Sequence, residues 1–104
     1  MELFAEFEKQ LPAIRKRGTY LLGKVKPEER LKRNWKYAPA AAMIEWIWDE
    51  LLDEHTVLYQ TFLRAGFTNK LDMSYCVFEW YLYDNRLQKS KQAVSRADTS
   101  PARE

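Results

Sequence analysis

A chain of 104 residues, 46% hydrophobic and 14% aromatic with a net charge of +2, is long enough for one packed domain and too apolar for wholesale disorder. No run of eighteen apolar residues occurs, and MELFAEFEKQ carries acids where a secretory signal needs bases, so a cytoplasmic protein without membrane contact is expected. A lone cysteine, Cys76, excludes an intrachain disulfide; with a lone histidine, His55, it also removes the usual zinc frameworks, and no metal or cofactor is expected.

In chain order, Leu3, Phe4, Phe7 and Leu11 recur at helical spacing over Glu2–Leu11. Pro12 is expected to end or kink that helix, because it removes a backbone donor and crowds the preceding turn. A second stripe follows at Ile14, Gly18, Leu21, Leu22 and Val25, weakened by Gly18 and Gly23. After Pro27, PEERLKRNWKY reads as a short helix with acids early and bases late, Leu31 and Trp35 forming its buried side. Prolines 12, 27 and 39 thus punctuate a series of helices.

From Ala40 to Ala65 the residues Ile44, Ile47, Trp48, Leu51, His55, Leu58, Tyr59 and Phe62 hold one helical phase. The pattern predicts a long central helix over about 39–65, with Pro39 in its first turn and Gly66 as a left-handed stop. Phe67 is placed to fold back on Phe62 or Leu63. Thr68 or Asp72 is expected to cap a last helix over about 73–90, whose main stripe is Met73, Val77, Trp80 and Leu87. Tyr75, Phe78 and Leu82 lie nearly opposite that stripe, and the polar run from 91 to 104 reads as a disordered tail. Together these elements predict an all-α fold: one helical domain over 1–90, a small bundle built on the hairpin of the long helix and the last one.

Charge is uneven. Residues 1–38 hold ten Lys/Arg against five acids for +5, residues 39–72 two against six for −4, and residues 73–104 five against four for +1. The acid row Glu45, Asp49, Glu50, Asp53 and Glu54 points away from the apolar stripe and lacks the Glu-x-x-His of di-metal bundles, so it reads as a solvated face. Trp46 interrupts it, an anchor for a basic partner or for the chain's own basic third. His55 lies within the apolar stripe, and Asp84 is in phase with the last helix's stripe; the two are expected to form a structural buried pair that sets register, not a catalytic one.

Four Trp, six Tyr and five Phe exceed what a small helical core needs and suggest rings at surfaces that meet a partner. No phosphate loop, nucleophile elbow or metal motif is present, and no catalytic residue is assigned. The expected function is a non-enzymatic interaction protein (a regulator, inhibitor or adaptor) binding a protein through Trp46, Tyr75, Phe78, Leu82 and the basic turn of Arg30, Arg33 and Lys36. Leaving Tyr75, Phe78 and Leu82 wet would forfeit several kcal/mol at ~1.5–3 per large side chain, so a homodimer, or a hetero-complex hiding the same face, is expected. The alternative is a nucleic-acid-binding regulator using Arg15–Lys36 with Tyr20, Trp35 and Tyr37. A helix-turn-helix drawn over Leu63–Tyr81 would present SYCVFEWYLYD, apolar and acidic where a reading helix needs Arg, Lys, Asn or Gln.

Overall fold

Helix α1 runs unbroken from Glu2 to Gly23 in the computed structural model, which describes residues 2–99 and the side chains of residues 2–91. The break expected at Pro12 does not form. Leu3, Phe7, Ile14 and Gly18 are buried, with Leu11 and Leu21 half-buried on the same line, so steps of three and four carry one seam past the proline. Pro12 itself is on the exposed side, where water can serve the Glu8 carbonyl that loses its donor.

Turns connect α1 to the next helix, and the short helix expected in PEERLKRNWKY shrinks to a single 3₁₀ turn, Glu29–Leu31. Leu31 is 87% exposed rather than buried, while Trp35 is half-buried, with the Arg30 guanidinium 4.7 Å from its ring and the Lys36 ammonium at 5.7 Å. With only two large apolar residues, so short a segment has no stripe to dock, and an isolated short helix is marginal in water.

The long central helix is in fact two. Helix α2 spans Tyr37–Trp46 with Pro39 in its first turn, widens into a π-helical turn at Ile47–Leu51, and stops at Leu52. Helix α3 spans Val57–Arg64. The cause of the stop is the run Asp53-Glu54-His55-Thr56. The Asp53 carboxylate accepts from the His55 N–H (3.2 Å), and Thr56 Oγ1 accepts from the Tyr59 N–H (3.2 Å) as the N-cap of α3. The single Thr56 hydroxyl proton is shared between the Leu51 carbonyl, which the end of the helix leaves open, and the Asp53 carbonyl, which also accepts from the Thr56 N–H. His55 is therefore exposed on a turn, not inside a stripe.

The end of α3 matches expectation. Gly66 takes φ 101°, Phe67 N–H donates to the Phe62 carbonyl and Gly66 N–H to that of Leu63, and the Phe67 and Phe62 rings meet edge-on at 4.9 Å. Asn69, not Thr68 or Asp72, caps the last helix, accepting from the Leu71 N–H at 2.8 Å. Helix α4 spans Lys70–Thr99, so its backbone continues well past Ser90 into the expected tail; residues 100–104 lie outside the described residues.

The fold is an all-α bundle in which α1 packs on α2, α3 and α4, and α4 packs on α2 and the π turn. Its centre is Phe7, Ile14, Ile47, Leu52, Leu58, Phe62, Met73 and Val77, all fully buried. Trp80 stands 5.1 Å from the ring of Phe7, yet the adjacent Tyr81 lies against Gly18, eleven positions further along α1. That is ~16 Å of helical rise, so α1 and α4 cross steeply rather than lie side by side. The molecule measures 52 × 35 × 18 Å with a radius of gyration of 16.6 Å, against ~13 Å for a compact domain of this size.

Candidate functional site

The second half of α1, α2 and α4 together line a groove of about 500 Å³. Leu21 and Leu22 come from α1, Trp35 from the connection, Met43 from α2, and Phe78, Tyr81 and Leu82 from α4. Met43 and Tyr81 form a buried floor; Trp35, Phe78 and Leu82 are half-buried walls. Arg30, Lys36, Arg86 and Lys89 stand exposed around it, and its lining holds no carboxylate, histidine, cysteine or hydroxyl-bearing Ser or Thr. The chemistry available is recognition: an apolar bed inside a cationic rim.

Gly18 determines how deep the groove is. A Cβ built there would run into the Tyr81 hydroxyl and lie 2.7 Å from its Cζ, so the phenol ring reaches the floor only because α1 has no side chain at that point. The glycine counted against the helix on propensity is the one through which α1 accepts α4.

Asp84, buried on α4, is held by Arg15 of α1 in a two-pronged contact: Nε donates to Oδ2 at 2.8 Å and a terminal nitrogen to Oδ1 at 2.7 Å. These hydrogen bonds hold the Asp84 carboxyl below the usual carboxylate range, against burial, which pushes it up; the Arg15 charge, Gln88 and Lys91 add smaller pulls downward. The expected His55–Asp84 pair is therefore replaced by Arg15–Asp84. His55 sits on the turn after the π segment, and α1, not the α3 side, supplies the partner. Cys76 is half-buried, and burial pushes its thiol up, keeping it protonated at neutral pH.

Of the expected partner-binding residues, Arg30, Lys36, Phe78 and Leu82 are gathered by the fold on the one groove. Arg33 and Tyr75 are exposed outside it. Trp46 lies on a different face, half-buried with the Arg17 guanidinium 5.3 Å from its ring, so the chain's own basic third occupies it. Sequence reasoning missed Arg86 and Lys89. The signal was there: 78, 82, 86 and 89 continue one helical face, apolar in its first half and cationic in its second. Among the described residues no group of three His, Cys, Asp or Glu comes together to hold a metal ion, and no helix is long and apolar enough to cross a membrane. Comparison with family models, curated proteins and solved structures finds no match to this chain.

Proposed function

We propose that this chain is a non-enzymatic interaction protein, a regulator, inhibitor or adaptor, that receives a protein partner in the groove between α1, α2 and α4. The observation that supports this most directly is the groove's make-up: half-buried Trp35, Phe78 and Leu82 surrounded by four exposed cations with no acid among them. Aromatic and arginine side chains are the residue types enriched in binding hot spots. Action in the cytoplasm suits a free, half-buried Cys76.

Two-fold pairing of this face, the other use of Phe78 and Leu82, would bring the same four cations, Arg30, Lys36, Arg86 and Lys89, to both sides of the interface. Like charges across an interface cost affinity, so a different protein is the better occupant. For nucleic acid the balance is also less favourable than the sequence suggests. Arg15 is held by Asp84, and Arg17 lies over Tyr20 and Trp46.

A photo-reactive phenylalanine analogue in place of Leu82, in the full chain expressed in its host, tests the reading. A protein adduct that disappears when Lys36 and Lys89 are changed to Glu is the expected result. An adduct of twice the chain's mass would mean a homodimer. An adduct removed by nuclease would move the function to nucleic acid.

A further inference from the structure

The groove's occupant can be narrowed from backbone chemistry, charge and symmetry, given the interaction reading above. Its walls are helices and turns, and the described residues contain no strand whose edge could pair with an added chain. An extended segment laid over this bed would find no strand edge to pair with and would gain no backbone hydrogen bonds from it. A helix arrives with its own already made and offers a row of side chains to the bed.

The rim then selects among helices. Arg86 and Lys89 are three apart on α4, ~4.5 Å of rise, on the same face as Leu82. Arg30 and Lys36 face them from the α1–α2 connection. All four cations are exposed, and no acid on the groove's lining neutralises them. A bound helix with carboxylates on both sides of its apolar row meets cations on both banks. A basic or neutral helix meets repulsion or nothing. The shared two-fold face of a second copy brings the same four cations, and so does not fit.

We infer that the groove takes an acidic amphipathic helix from a different protein. Its apolar row rests on Trp35, Phe78 and Leu82, and its Asp and Glu residues, three or four apart, face Arg30 and Lys36 on one side and Arg86 and Lys89 on the other. The bed is shallow, because Tyr81 and Met43 close it from below. The helix therefore lies on the rim and inserts only its apolar side chains.

The test uses the full chain and three synthetic helical peptides: one with a leucine row flanked by Glu, the same with Glu replaced by Lys, and the Glu form with its leucines replaced by alanine. Fluorescence anisotropy should show binding of the Glu–Leu peptide, weakening as salt rises. The Lys peptide should bind about tenfold more weakly, the sum of a few exposed charge pairs turned from attraction to repulsion, and the alanine peptide should also bind more weakly, because it has no apolar row to bury. In Lys36→Glu/Lys89→Glu, checked for helicity by circular dichroism, two cations and two acids remain on the rim, so the preference for Glu over Lys should disappear while dependence on the leucine row persists, a pattern that misfolding cannot imitate. Equal binding of the Glu and Lys peptides by the wild type, or a Glu preference indifferent to the double charge reversal, overturns the inference. If no peptide binds while the cross-link from position 82 still captures a protein, the helix is wrong and the interaction reading stands. If the cross-link fails as well, both fall.

Discussion

The two halves of α1 meet aromatic residues in opposite ways. In the first half the rings meet one another: Phe4, Phe7 and Phe62 surround Trp80 at centroid distances of 5.4, 5.1 and 6.3 Å, and Phe62 also carries Phe67. In the second half the rings meet cations: Arg30 and Lys36 lie against Trp35, and Arg17 and Lys24 against Tyr20. Ring on ring buries Phe7 and Phe62 and leaves Phe4, at the edge of the cluster, 38% exposed. Beside cations, Tyr20 stays exposed and Trp35 is half-buried on the groove, whereas Trp46 is taken up by Arg17. Aromatic abundance alone therefore does not mark an interface; a ring counts only where the fold leaves it on the groove.

The largest effect should separate the two regions outright. Phe62→Ala removes a fully buried ring and is expected to cost ~3–5 kcal/mol. Leu82→Ala, half-buried on the groove wall, should cost about 1 kcal/mol, below the ~1.5–3 that full burial would imply. Urea denaturation of both variants measures the gap. Equal losses would mean that the groove wall is ordinary core.

Gly18→Ala comes next, and it joins the regions. The new methyl must displace Tyr81, an overpacking cost of ~1–3 kcal/mol reduced by up to ~1 kcal/mol of helix propensity. A net loss of about 1–2 kcal/mol is expected, partly recovered in Gly18→Ala/Tyr81→Phe, which removes the hydroxyl the methyl meets first. A stabilised single variant would show that α4 can shift away at no cost.

How much of this was legible in the sequence depended on which signal was allowed to win. The helix stop at Gly66 and Phe67 was readable because glycine at a left-handed position and an apolar fold-back residue are local demands. The seam through Pro12 was readable too, since 3, 7, 11, 14, 18 and 21 keep phase; punctuation was weighed above period. At Asp53–Thr56 the error ran the other way. Period was trusted where two short polar side chains could close a turn and cap a new helix. Phase survived the break only because the π turn widens before the chain stops, so His55 looked buried. Half the groove was legible as residue types, but a groove needs three helices in register, and the Gly18–Tyr81 contact that sets its depth joins positions 63 apart.

The ion pair between the two regions gives a smaller, pH-dependent effect. Asp84 is lowered in the folded protein, so the stability it contributes is present above its unfolded value, ~3.9, and is lost as pH falls through the folded value. Wild type should exceed Asp84→Asn by about 1 kcal/mol at neutral pH, a modest figure because solvent reaches Arg15, whose side chain is 44% exposed. Thermal melts across the acid range should show that advantage closing below about pH 4. An advantage unchanged to about pH 2 would mean the contribution is not the carboxylate's charge.

The smallest effect bears most directly on function. A cation kept for structure has a partner in its own chain, as Arg15 has Asp84 and Arg64 has Glu2 at 2.7 Å. Lys36 and Lys89 stand on a rim with two further cations and no lining acid, so their mutual repulsion contributes nothing to the folded state. Replacing one by an acid relieves that repulsion. Lys36→Glu should therefore leave stability unchanged or raise it by a few tenths of a kcal/mol, within the ±0.5 of ordinary surface changes, and not lower it. The loss of its contact over Trp35, 5.7 Å from the ammonium, works weakly against this. Urea denaturation at low salt, where surface charge is least screened, is the sensitive measurement. A destabilisation above about 1 kcal/mol would give Lys36 a structural task. A neutral or stabilising result, in a variant that no longer cross-links its partner from position 82, would identify a cation retained at the expense of stability for what it binds.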